Sequence, residues 1–206
     1  MSNNRVHLML DTETLGKRED TVILSIACVP FTLEDHDYFK SYLNKGIMIK
    51  FSVEEQIKKF HRSITTDTIE WWKQQSKEAR DANLKPSPND MTAVEGLTML
   101  SKFISDSGYN HKKSYVWARG TNFDFPKIEH FYEDCANLTL PFNTWKIRDT
   151  RTYIDILTGT DDGKYELKFG DIDNFVAHNC LHDAAMEAAK LSEIYYLLNE
   201  EDDIPF

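Results

Sequence analysis

Two apolar, β-branched runs near the start of the chain constrain its fold more than anything that follows: VHLMLD at residues 6–11 and TVILSIACVPF at 21–31. Gly16 and a charged stretch separate them, so they read as neighbouring strands of a hairpin. A third strand is expected at 36–43, with Tyr38 and Tyr42 on one face. From about 52 to 85 the character turns helical, and Thr66-Asp67-Thr68 ahead of Ile69, Trp71 and Trp72 predicts an N-cap. Pro86-Ser87-Pro88 closes that region. Asn89 or Asp90 then caps a helix whose Val94, Leu97, Leu100, Phe103 and Ile104 recur at helical spacing.

Residues 114–118 (SYVWA) predict a buried strand, and a turn at Arg119-Gly120 leads into a helix near 125–136. Further helices are expected at 149–157 and at 180–198, where Leu181, Ala185, Ala188, Leu191, Ile194 and Leu197 form an amphipathic pattern. Strands first, then helices, a strand and more helices predict an α/β fold: a mixed β-sheet flanked by helices, with a helical insertion around 52–110. At 206 residues the chain fits a single domain, 1–206.

A formal net charge of −10 argues against a protein that coats nucleic acid by neutralising its phosphates. It does not exclude an enzyme that handles one strand end, where divalent cations supply the positive charge. Part of the acidity sits in Glu200, Glu201, Asp202 and Asp203, read as a solvated end. Three cysteines, an odd number without a CxxC pair, speak against a disulfide framework or a zinc ribbon and suit a reducing cytoplasm. No segment has the length of a signal peptide core or a membrane span, so no membrane partner is expected.

The chemistry lies in three places. Asp11-Thr12-Glu13 stands where the first apolar strand ends, and side chains two apart on a strand share a face. Asp11 and Glu13 can therefore converge on one cation, and hard oxygen donors suit Mg²⁺ or Mn²⁺. The bland reading is a polar strand exit. Asp124 lies between two phenylalanines in WARGTNFDFP (117–126), just after a buried strand; alone it also suits a helix N-cap. His178 precedes the last helix and Asp183 falls in its first turn. A histidine titrating near neutrality can take a proton from an attacking water, although a surface histidine and a carboxylate complementing the helix dipole would look the same singly. Together the four carboxylates and the histidine occur in the order and contexts a two-metal nuclease needs.

This set resembles the DEDDh 3′→5′ exonucleases of the ribonuclease H-like superfamily, whose motifs are D-x-E, a mid-chain Asp and H-x(4)-D. Asn179 stands where a sister subclass carries tyrosine. The segments TIEWWKQQSKEAR (68–80), RGTNFDFP (119–126), RDTRT (148–152) and FVAHNCLHD (175–183) extend the likeness to the phage exodeoxyribonuclease A type and to a related group of short bacterial 3′→5′ exoribonucleases. The resemblance runs from about residue 5 to 198. It implies that Asp11 bridges two divalent cations, that Glu13 and Asp183 complete the site of the water-activating one, and that Asp124 holds the second. It further implies that His178 is the general base and that the product is a nucleoside 5′-monophosphate.

Substrate contacts are expected from Leu15 as a wedge against the terminal base, Phe123 as a stacking face, Asn122 on a sugar or phosphate, and Arg148 on a phosphate, with Arg151 a weaker candidate. Core packing is the rival reading for Leu15 and Phe123. At least one of Trp71 and Trp72 is expected in the core, and His182 points away from the site. The expected partner is the 3′ end of a single strand, DNA in preference to RNA. The rival readings are an exoribonuclease, which the 2′-hydroxyl would distinguish, and a catalytically silent adaptor, against which the clustered like charges argue. A polymerase proofreading subunit ranks lower, since only the short acidic end is available to bind a partner. Apolar residues of the 52–110 segment leave room for a homodimer.

Overall fold

Strand β1 (His7–Thr14) pairs antiparallel with β2 (Ile23–Phe31), the hairpin expected from the two apolar runs. The structure, a computed structural model, describes residues 5–201, and the side chains of Glu200 to Asp203 lie outside the described part. β2 pairs antiparallel with β3 (Ile47–Lys50), whereas β1 runs parallel to β4 (Val116–Ala118) and β4 to β5 (Ile147–Asp149). The order β3-β2-β1-β4-β5 makes a five-stranded mixed sheet with β1 at its centre.

The third strand expected at 36–43 is instead a helix, α1 (Phe39–Lys45), and the strand follows it as β3. Phe39 and Tyr42, three apart, both turn inward, which is helical spacing rather than alternation. The helices expected over 52–110 are α2 (Val53–Phe60), α3 (Thr66–Lys73), α4 (Lys77–Asn83) and α5 (Ala93–Asp106). Neither Asn89 nor Asp90 caps α5. Thr92 does, through a reciprocal capping box with Glu95, and the T-x-x-E signal was present in the sequence. Nor do Thr66 to Thr68 cap α3, whose cap position is Thr65. Helix α6 (Thr121–His130) continues through a π-helical stretch, Phe131–Ala136, and is followed after β5 by α7 (Thr150–Thr158) and α8 (Cys180–Glu201).

Alternation along β1 divides the core. Leu8 and Leu10 face a cluster with Leu97, Leu100 and Ile104 of α5 and Ile128 of α6. Met9 faces the other way, into a cluster with Phe39 and Tyr42 of α1 and Ala184, Ala185, Ala188 and Leu191 of α8. The alanines let α8 lie close on the sheet, so Asp11 and Glu13, in phase with Met9, meet that helix. A third cluster joins Leu15, Val22 and Leu24 to Trp72 of α3 and Ala79 of α4. Trp72 is wholly buried and donates its indole N–H to the Thr14 carbonyl at 3.0 Å. Burying a side chain of this size stabilises by roughly 2–3 kcal/mol. The same contact fixes α3 against the end of β1, where the carboxylates are.

Candidate active site

At the end of β1 the pairing register with β2 shifts between Glu13 and Thr14. A bulge of this kind bends the strand and re-aims its side chains. Beside this shift lies a cleft of about 710 Å³ lined by Asp11, Glu13, Asp124, His178 and Asp183, the five residues the motifs single out. They come from β1, α6, the loop before α8 and the first turn of α8.

Asp124 is not an N-cap. The cap position of α6 is Gly120, held at φ 99°, and Asp124 lies buried in the first turn. Both the backbone N–H and the hydroxyl of Thr12 donate to its Oδ1, at 3.1 and 2.6 Å. Asp149 fixes the turn that carries it, accepting from the backbone N–H groups of Gly120 and Thr121 on one oxygen and from Thr152 of α7 on the other. Thr12, between the two acids of the first motif, thus orients the third.

Asn179 opens α8 by accepting from the N–H groups of Leu181 and His182. His178 sits just before it with φ 63°, a left-handed conformation uncommon outside glycine. Its N–H donates to Asp183 Oδ2 at 2.8 Å, tying the two residues of the third motif together. Its ring meets the edge of Trp71 with centroids 4.7 Å apart. His182 does point away: its Nδ1 accepts from the Val176 N–H. One ligand atom each from Glu13, His178 and Asp183 lies within 4.8 Å of the others.

Burial and then the neighbouring Asp124, Glu13 and Asp183 push the Asp11 carboxyl well above the usual carboxylate range. Burial, with Asp183 and Asp124, does the same to Glu13. Burial raises Asp124 to about 7, against the opposing Thr12 hydrogen bonds, and raises Asp183 to about 7, against the His178 N–H. Among the described residues no lysine or arginine forms an ion pair with any of the four. Lys127 and Arg151 near Asp124, and Lys190 and Arg119 near Asp183, offset only part of the repulsion, and four acids so gathered are a donor set for hard divalent cations. Burial also lowers the His178 pKa, so its ring is neutral, and able to accept a proton, near pH 7.

The cleft holds residues the motifs did not reveal. Glu187, one helical turn beyond Asp183, is buried and accepts from Arg119 at 3.2 Å, Lys190 at 2.9 Å and the Thr150 hydroxyl at 2.8 Å. Its i,i+4 relation to Asp183 was the available signal. Trp71 lines the cleft and is 39% exposed, whereas Trp72 is the core member of the pair. Phe123, 38% exposed, lines it too, with the Lys127 ammonium 3.3 Å from its ring centroid.

The other expected substrate contacts are elsewhere. Leu15 is 5% exposed and packs into the third core cluster, where Trp72 of α3 and Ala79 of α4 cover it. Asn122 is exposed at the start of α6 but does not line the cleft. Arg148 folds over the Tyr115 ring at 4.4 Å and donates to the Ile147 carbonyl, away from the carboxylates. Arg151 does not line the cleft either.

The sheet order and its helical cover define an exonuclease fold of the ribonuclease H-like type, as solved structures show. Cell-death related nuclease 4 superposes with a TM-score of 0.52 at 12% identity, covering 96% of this chain and 64% of its own. Exonuclease I does so with a TM-score of 0.55 at 12% identity, covering 96% and 44%. The chain therefore spans less than two thirds of either structure, and the likeness is one of fold. It is also 33% identical over 210 residues to the exodeoxyribonuclease of Enterobacteria phage T4, covering 94% of this chain and 91% of the phage protein. A family model described as the 3′-5′ exoribonuclease Rv2179c-like domain matches residues 6–195, and the chain belongs to that family of 3′→5′ exonucleases.

Proposed function

We propose that the chain removes nucleotides from the 3′ end of single-stranded DNA, releasing nucleoside 5′-monophosphates with the help of two divalent cations, Mg²⁺ or Mn²⁺. The observation that carries this reading is the convergence of Asp11, Glu13, Asp124 and Asp183 with a neutral His178 in one cleft. The choice of DNA is supported by the phage exodeoxyribonuclease, similar over nearly the whole chain. The choice of metals is supported by the donor chemistry and by S. pombe Pop2p, which has the same fold at a TM-score of 0.50 and has been solved with Mg²⁺ and Mn²⁺ bound.

In this reading Asp11, Glu13, Asp124 and Asp183 hold the cations, which when bound supply charge stabilisation for the phosphoryl oxygens and acidify the attacking water. His178 takes a proton from that water as its oxygen attacks the terminal phosphorus. The bond from phosphorus to the 3′-oxygen breaks, and the departing oxygen is protonated to leave a new 3′-hydroxyl. Trp71 and Phe123 offer aromatic faces for the terminal bases, a mode that accepts any base. The three free cysteines and the likeness to a phage enzyme support action in the cytoplasm.

A second reading, trimming of RNA 3′ ends, is favoured by the family description. One experiment separates the two. Purified protein is incubated with 5′-labelled single-stranded DNA and RNA of one sequence, in Mg²⁺, Mn²⁺ or chelator, beside Asp11→Ala protein. Metal-dependent ladders shortening from the 3′ end, absent in the variant, support the exonuclease, and the faster substrate decides the sugar. Intact oligonucleotides in every lane would sink the proposal and favour a binding adaptor. His178→Ala is expected to slow cleavage by roughly 10²–10⁴-fold.

A further inference from the structure

His178 is held in its left-handed conformation by a contact from outside the motif. The Nδ2 of Asn83, the last residue of α4, donates to the His178 carbonyl at 2.6 Å and to the Ala79 carbonyl at 3.0 Å. Its Oδ1 accepts from the Ser25 hydroxyl at 2.9 Å, and Ser25 in turn accepts from the Cys180 thiol at 3.2 Å. Asn83 is 3% exposed, and its amide has no unused donor. Ser25 lies directly across the β1–β2 ladder from Glu13. One buried amide therefore joins the strand opposite a catalytic acid, helix α4 and the loop carrying the base.

The loop needs holding. Behind Phe175 to His178 lies a second cavity of about 420 Å³, lined by Gln75, Ser76 and Glu78 as well as by the loop itself. The segment thus stands between the cleft and an open surface depression, with no packed layer of side chains behind it. Asp183 fixes its N–H side, the Trp71 ring braces the imidazole, and Asn83 fixes its carbonyl side.

We propose that Asn83 is a positioning residue for the reaction: it fixes the His178 backbone so that the imidazole faces the attacking water. This rests on the reading of His178 as general base. It also assigns the helical segment α3–α4 a task in catalysis, with α3 supplying Trp71 and α4 supplying the tether.

The test is a double-mutant cycle on a 5′-labelled oligonucleotide in saturating Mg²⁺. Asn83→Leu, close to isosteric but without donors, is expected to lower kcat by roughly ten- to a hundredfold with KM changed by less than about twofold. In a His178→Ala background the same substitution is expected to have no further effect on kcat, since there is no base left to position. Asn83→Ala, which leaves a void instead of a misfit, is run beside it so that poor folding of one variant leaves the test standing. Thermal melts confirm that each is folded. An equal loss of kcat in both backgrounds would show a purely structural role and overturn the proposal, as would an unchanged kcat when His178 is intact. A His178→Ala loss below about threefold would instead remove the base assignment itself, a separate failure visible in its own arm.

Discussion

Asp183→Asn should make the metal-free protein more stable at pH 8, although it removes a residue proposed to hold the cation. Burial raises the Asp183 carboxyl from its ordinary 3.8 to about 7. At about 1.36 kcal/mol per pH unit, ionised Asp183 carries roughly 4 kcal/mol of unfavourable interaction in the folded state. Its partial exposure, and the protons shared across the cluster, reduce the recoverable part to about 1–2 kcal/mol. In a domain of this size that is an increase in Tm of roughly 3–6 °C. Asparagine keeps an oxygen to accept the His178 N–H. The pH dependence fixes the sign. Because the folded pKa lies above the unfolded one, the native wild type binds the proton first as pH falls through 7 toward 4, and the wild type gains stability over that window. The variant has nothing to titrate there, so its advantage should shrink steadily below pH 7 and vanish near pH 4. Differential scanning fluorimetry in chelator between pH 5 and 8 measures the effect, and added Mg²⁺ should reverse it by stabilising the wild type selectively. A variant less stable than wild type in chelator at pH 8, or an advantage independent of pH, would refute the view that the acids repel one another until a cation arrives.

Other substitutions test the scaffold around the acids. Thr12→Val removes the hydroxyl that donates to Asp124 and keeps the backbone donor, so the Mg²⁺ concentration for half-maximal cleavage should rise about tenfold in a metal titration. Gly120→Ala forces a Cβ onto a residue at φ 99° and against the Arg151 guanidinium, which should cost about 1–2 kcal/mol in urea unfolding. Gln56→Leu leaves both the N–H and the carbonyl of Ile23 without their side-chain partner in the interior, and should cost roughly 2–4 kcal/mol by the same measurement.

Much of the sheet and all five motif residues were legible because each carried a local signal. The first strands announced themselves as apolar runs, and Asp11 and Glu13 stood in phase at the end of one. What escaped depended on the fold. Tyr38 and Tyr42 are compatible with either period, and only packing against α8 makes that segment a helix. β5 is three residues long and has no pattern of its own; it exists because β4 offers an edge. Leu15, beside the first motif, looked exposed to substrate, but α3 and α4, distant in sequence, close over it with Trp72 and Ala79. Asn83 and Glu187 had no motif at all. Their roles come from contacts 95 residues away in one case and 68 in the other.

Three departures from regular backbone lie beside the motifs. The register shift at Glu13, the left-handed Gly120 ahead of Asp124, and the left-handed His178 ahead of Asp183 each stand next to one of the motifs. Each is held by a hydrogen bond from another element: Trp72 to Thr14, Asp149 to the Gly120 turn, Asn83 to His178. The cost of gathering like charges is thus met twice, by tethers that hold irregular backbone and by the core clusters that surround them, before any cation binds. That explains why the helices over 52–83 matter to a site whose motif residues all lie outside them: they supply two of the three tethers and one wall of the cleft.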